Sequence, residues 1–161
     1  ENETLDFGNY KIKTMPTPGH TPTCITIIIN NFVFVGDTIL MPDFGTARTD
    51  FPGGNASMLY NSILKIYNLP INSILYTCHD YGPNGRKFSW ECTLEDQKKN
   101  NIHLNKKTKK KSYVKFREER DKNLKLPSLY YQAIQININA GILPPHNKNN
   151  TRFLKIPIIF K

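Results

Sequence analysis

Long apolar runs are missing from this sequence. The longest, Cys24 to Ile29, falls far short of the roughly 20 residues that cross a bilayer; no membrane-spanning helix is expected. Cysteine is scarce: Cys24, Cys78 and Cys92 form an odd set with no close CxxC pair. That argues against a disulfide scaffold and for a reducing compartment, cytoplasmic or else mitochondrial. No internal repeat is present. Acidic residues are outnumbered, 13 Asp+Glu against 22 Lys+Arg, for a net charge of +9. Such a balance collects anionic partners but says nothing about fold. Asn, Lys and Ile make up about a third of the chain, so compositional bias accounts for much of the basicity. At 161 residues and 39% hydrophobic content, one domain is expected and wholesale disorder is not. The chain opens on Glu1 and polar neighbours, without a charged-then-apolar leader; a piece of something longer is the expectation.

Periodicity divides the chain at about residue 90. Tyr10 to Thr14 alternates apolar and polar as a half-buried strand does. The β-branched stretch Cys24–Ile29 predicts a strand buried on both faces, and Asn30-Asn31 a tight turn into a return strand, Phe32–Val35. Residues 39–54 are punctuated by Pro and Gly and read as loop. Asn55 then caps a helix over 56–67, with Met58, Leu59, Ile63, Ile66 and Tyr67 at helical spacing and Leu69-Pro70 as the stop. Ile74–Cys78 is a further buried strand, with Cys78 packed inside it. Beyond it, helices are predicted over Trp90–Asn101 and Ser112–Leu124, the second with Tyr113, Phe116 and Leu124 on its packed face, and Trp90 as a helix-packing residue. The order strand, loop, helix, strand implies an α/β layered arrangement.

Three ionisable groups stand at strand ends: His20 in Thr17-Pro18-Gly19-His20-Thr21, Asp37 in Gly36-Asp37-Thr38, and His79 in Cys78-His79-Asp80-Tyr81. Loops at strand ends are where α/β folds place their sites. Two imidazoles and a carboxylate suffice for Zn(II), or for a facial Fe(II) triad with open positions.

These three blocks, in this order, resemble the second half of a metallo-β-lactamase-fold protein. Gly45 to Gly54, Trp90-Glu91, Phe116 to Asp121, Gln135 to Gly141 and Leu154 to Pro157 are similar to the persulfide dioxygenase (sulfur dioxygenase) and glyoxalase II branch, including its bacterial β-lactamase-like hydrolases. The resemblance implies the C-terminal half of an αββα sandwich as one partial domain over 1–161, its site motifs in 1–89 and a helical extension and tail in 90–161. His20 and Asp37 would be metal ligands. His79 would ligate a second metal in dinuclear Zn(II) hydrolases, and lie beside the metal without binding it in mononuclear Fe(II) dioxygenases. Tyr81 would touch a glutathione-derived substrate, Arg48 would hold its carboxylate bidentately, and Asp50 and Asp80 would stand behind the ligands as supporting carboxylates.

The family's HxHxDH motif is absent from this chain; His103 and His146 come too late and lack its spacing. A missing N-terminal half, or another chain such as a second copy, would cover an apolar face left open. The activity implied is oxidation of glutathione persulfide by O₂ to sulfite and glutathione. Hydrolysis of a glutathione thioester is the alternative, and an inactive remnant serving as a binding or structural module is the third reading. Lys106 to Lys111 has no interleaved aromatic to stack a base; it reads as a solvated loop rather than a nucleic-acid site.

Overall fold

A computed structural model describes residues 3–156; the last residues of the apolar run Phe153–Phe160, and Pro157 of the final block, lie outside them. The chain divides after Asn123 into two compact units, so the boundary at 89/90 falls inside the first. That unit carries strands β1 (Thr4–Phe7), β2 (Tyr10–Pro16), β3 (Ile25–Ile29) and β4 (Phe32–Phe34), then helix α1 (Ala56–Tyr67). Strand β5 (Ile74–Tyr76), strand β6 (Glu91–Thr93), and helices α2 (Leu94–Asn100) and α3 (Lys110–Asp121) complete it. The second unit carries α4 (Tyr130–Asn137), none of whose residues is buried.

The six strands form one sheet in the order β1 to β6. Every neighbouring pair is antiparallel except β4 and β5, which run parallel in the register Val33 to Leu75. A parallel pair needs a crossover, and α1 supplies it. One face of the sheet packs on that helix: Val33, Leu75, Leu59, Ile63 and Ile66 have no exposed surface. The helix starts where Asn55 accepts the Met58 N–H at 2.9 Å, one of the four donors a helix N-terminus leaves open.

Several expectations are corrected. Strand β3 is not buried on both faces: Thr26 is buried but Ile25 is 47% exposed, because no layer of this unit covers that side of the sheet. Trp90 is not a helix-packing residue. It is 64% exposed and leads into β6, whose Glu91–Thr93 pair with β5 before the helix begins at Leu94. Cys78 lies beyond the end of β5 and is exposed. The packed face of α3 is Tyr113, Arg117 and Asp121, at i, i+4 and i+8, while Phe116 is 36% exposed and Leu124 falls in the second unit.

Candidate metal centre

Strand direction gathers the three motifs. With β2 antiparallel to β3, β3 to β4, and β4 parallel to β5, strands β2, β4 and β5 all end at one edge of the sheet. His20, Asp37 and His79 each follow one of those ends. Hydroxyls stitch the edge: Thr38 donates to Thr17 Oγ1 at 3.2 Å, and Thr17 and Thr26 share a hydrogen bond at 3.0 Å.

Asp37 and His79 meet. Nε2 of His79 lies 2.9 Å from Oδ1 of Asp37, with both side chains more than a third exposed. Although so close, the two make no directed hydrogen bond: Asp37 Oδ1 is itself buried and without a hydrogen-bonding partner. A carboxylate oxygen and an imidazole nitrogen this close, with no directed hydrogen bond between them, form a pair of donors that a divalent cation can bridge. In that respect the pair fits a metal.

His20 is held in a defined protonation geometry. Its Nδ1 lies 2.7 Å from the carbonyl oxygen of Arg48. A carbonyl only accepts, so Nδ1 carries a hydrogen and Nε2 is the ring nitrogen left for a ligand. Phe51 packs edge-on to the ring at 5.1 Å. The loop bearing His20 is pressed onto α1, where Ser62 donates to the Pro18 carbonyl at 2.6 Å and the Asn55 N–H to the Gly19 carbonyl at 2.8 Å. Among the described residues no group of three or more His, Cys, Asp or Glu side chains gathers as a metal cage. What the chain presents is the Asp37–His79 pair, with His20 on the same edge.

The neighbours of the pair sort into wall and scaffold. Tyr81 is 56% exposed, stands edge-on to His79 at 5.0 Å and stacks on Phe44 at 4.2 Å. Asp80 is engaged within its own loop. Its carboxylate accepts from Arg86 Nη1 and Nη2 at 2.8 and 2.9 Å and from the Ser89 and Tyr81 N–H groups at 2.9 Å. Arg86 holds that carboxyl well below its ordinary pKa range. The same guanidinium grips Asp43 at 2.6 and 2.9 Å, tying the loop after β5 to the 39–54 loop. Arg48 spends its Nε and Nη2 edge on Asp50, at 2.6 and 2.5 Å. The bidentate geometry expected for a substrate carboxylate is therefore made inside the chain, and Arg48 depresses the Asp50 pKa. Partial desolvation of this otherwise exposed side chain, with the Asp37 charge, raises the Cys78 thiol, which disfavours a thiolate nucleophile there.

The sequence reading missed a buried polar network beneath the 39–54 loop. Gln97 donates to the Leu40 carbonyl at 2.6 Å and Asn101 to the Gly45 carbonyl at 3.1 Å. His103 accepts the Thr46 N–H at 2.9 Å, and Thr46 shares a hydrogen bond with the Tyr113 hydroxyl at 2.9 Å. The signal available was the run of polar residues at helical spacing in α2 and α3, facing a loop whose carbonyls need donors.

With that geometry in view, residues 2–79 match the family model described as "Metallo-beta-lactamase superfamily". The chain belongs to this superfamily. Over 98% of its length it is 42% identical to a "Probable metallo-hydrolase" of Burkholderia pseudomallei, covering 57% of that protein, and 43% identical to "Glyoxylase B2" of Dictyostelium discoideum, covering 54%. Over 90% of its length it is 35% identical to "Persulfide dioxygenase ETHE1, mitochondrial" of Bos taurus, covering 54%. The crystal structure of ETHE1 from Myxococcus xanthus superposes with a TM-score of 0.77 at 29% identity, over 88% of this chain and 59% of that one. This metallo-β-lactamase-superfamily chain thus spans about half the length of the curated relatives it matches. Its α/β architecture, among the described residues a mixed six-stranded sheet with four α-helices, matches solved structures of that fold. Among the described residues no helix is long and apolar enough to cross a membrane.

Proposed function

We propose that this chain carries the Asp37–His79 side of the metal centre of a persulfide dioxygenase-like enzyme, which converts glutathione persulfide, O₂ and water to glutathione and sulfite. The observation that carries the reading is the buried Oδ1 of Asp37, 2.9 Å from His79 Nε2 yet without a directed hydrogen bond. Its sheet is proposed as one of the two in an αββα sandwich. The side away from α1 leaves Ile25, Phe32 and Phe34 39–47% exposed, an apolar surface suited to a second sheet. Further ligands would come from that missing half.

In this proposal Asp37 Oδ1 and the Nε2 of His20 would hold a mononuclear Fe(II). When bound, that ion supplies open positions where dioxygen and a persulfide sulfur are brought together. The chain's own residues do the rest. The Arg48 carbonyl accepts the Nδ1–H of His20 and leaves Nε2 as the nitrogen for a ligand. The stacked Tyr81 and Phe44 rings offer a flat wall beside His79 for the body of the thiol substrate. Arg86, fixed between Asp80 and Asp43, keeps that wall and His79 in place. The net charge of +9 draws an anionic glutathione derivative inward.

A second reading, a glyoxalase II-like thioester hydrolase on paired Zn(II), is favoured by the higher identity to the hydrolase- and glyoxylase-named relatives and by the nearness of His79 to Asp37, as in a shared ligand set. Metal counting with oxygen uptake separates the two. In the presence of the half that supplies the remaining ligands, the dioxygenase reading predicts one iron per chain, retained in His79→Ala, and oxygen consumption with glutathione persulfide. Two zinc ions, one of them lost in His79→Ala, with cleavage of a glutathione thioester, would support the hydrolase. Absence of stoichiometric metal, unaffected by His20→Ala, would leave the chain an inactive binding or structural module.

A further inference from the structure

Arg117 and Asp121 on α3 form an ion pair with 1% and 4% of their surfaces exposed, a costly place for two charges unless each is fully used. Arg117 Nε lies 3.0 and 3.1 Å from the two Asp121 oxygens, and Nη2 lies 2.6 Å from Oδ1. Besides packing over the Phe116 ring, the pair hydrogen-bonds to one short segment 71 and 72 positions away. Arg117 Nη1 donates to the Thr46 carbonyl at 3.0 Å. Asp121 Oδ2 accepts from the Thr49 N–H at 2.7 Å and the Thr49 hydroxyl at 3.0 Å. Between those anchors sits Arg48, whose carbonyl accepts the Nδ1–H of His20. The pair thus grips the segment two residues before and one residue after the acceptor that faces the histidine's Nδ1.

We infer that the buried Arg117–Asp121 pair is a positioning device for His20: by clamping Thr46 and Thr49 it aims the Arg48 carbonyl at Nδ1 and so keeps the Nε2 lone pair turned outward. A buried ion pair contributes little net stability compared with apolar residues of the same volume, whereas a fixed hydrogen-bond acceptor determines which imidazole nitrogen is bare. Neither residue touches His20; both act through the loop. A second lock lies on the same segment, where Gly54 admits the Thr49 carbonyl so closely that a Cβ would stand 2.3 Å from it and 3.0 Å from the His20 carbonyl. The consequence for metal affinity rests on reading His20 as a ligand; the tautomer claim does not.

The test is imidazole ¹⁵N–¹H correlation spectroscopy on the full chain at neutral pH, with His20→Gln for assignment. The wild type is expected to show His20 as the Nδ1–H tautomer. Arg117→Met/Asp121→Leu, which replaces the pair by apolar residues, should turn His20 into a mixture in which Nε2–H is the larger population, while sheet amide signals stay in place. If that variant does not fold, Arg117→Lys decides by the same spectrum, since a lysine keeps the charge but cannot bridge Asp121 and Thr46 as the guanidinium fork does. A folded variant whose His20 remains wholly Nδ1–H overturns the inference. Zn(II) titration of the wild type is read separately. If the His20 Nε2 signal does not move, the ligand reading fails and the positioning claim stands.

Discussion

At Gly19 the loop that carries His20 lies directly against a helix. A Cβ there would stand 2.4 Å from the Leu59 N and Cα, and φ is +144°. Both contacts are backbone and cannot swing away. Gly19→Ala should cost more than about 2 kcal/mol, by forced displacement and strained backbone together. Gly85, at φ +76° with open space around it, is the matched control; its alanine variant should lose only about 1 kcal/mol. Chemical denaturation of the two variants measures the difference. His103 makes the second case at this scale. Burial, with Arg117 and Arg120 nearby, lowers its pKa to about 4, and Nδ1 is already an acceptor for the Thr46 N–H. A histidine held neutral when folded binds its proton more readily when unfolded. Its contribution is therefore complete above the ordinary value near 6.5 and is lost as pH falls towards 4, up to about 3 kcal/mol. Denaturation midpoints measured from pH 7 to pH 4.5 should decline across that window, while the imidazole signals of His103 stay those of the neutral form until close to pH 4.

Helix α1 is the element that makes the edge possible, since it crosses from β4 to its parallel neighbour β5. Its two sources of stability are separable. Asn55→Ala removes one capping bond and should cost about 1 kcal/mol. Leu59→Ala opens a cavity at a fully buried position and should cost about 2–5 kcal/mol. Thermal unfolding of the pair checks that ranking. This helix was legible in the sequence, cap and bounds included, because Leu59, Ile63 and Ile66 follow the helical period and nothing distant alters it. The hairpin through Asn30-Asn31 was legible for a similar reason: Asn30 takes the left-handed conformation, φ 54°, that asparagine tolerates. Strand β1 was not predicted, being four exposed residues paired only to β2. Strand β6 was read as the start of a helix, because its three residues run straight into α2. The buried stripe of α3 escaped for a different reason. Arg117 and Asp121 are charges outside the apolar face expected at Tyr113, Phe116 and Leu124, and their partners Thr46 and Thr49 stand 71 and 72 positions away.

Across the whole molecule, the sheet brings chain segments far apart in sequence to one edge and leaves its other face apolar. His20, Asp37 and His79 were all legible as strand-end residues, and strand direction puts them on that edge. Their partners were not legible: the pairing of Arg48 with Asp50 and of Asp80 with Arg86 depends on loop conformations that no local pattern specifies. The central claim is that Asp37 and His79 face a metal ion. Titrating the ¹⁵N-labelled chain anaerobically with Fe(II), and following signal broadening residue by residue, tests it most directly. Broadening that saturates, begins at Asp37, His79 and His20, and is lost in Asp37→Asn is the predicted result. Broadening that never saturates, that centres on His146, or that persists unchanged in Asp37→Asn would contradict it.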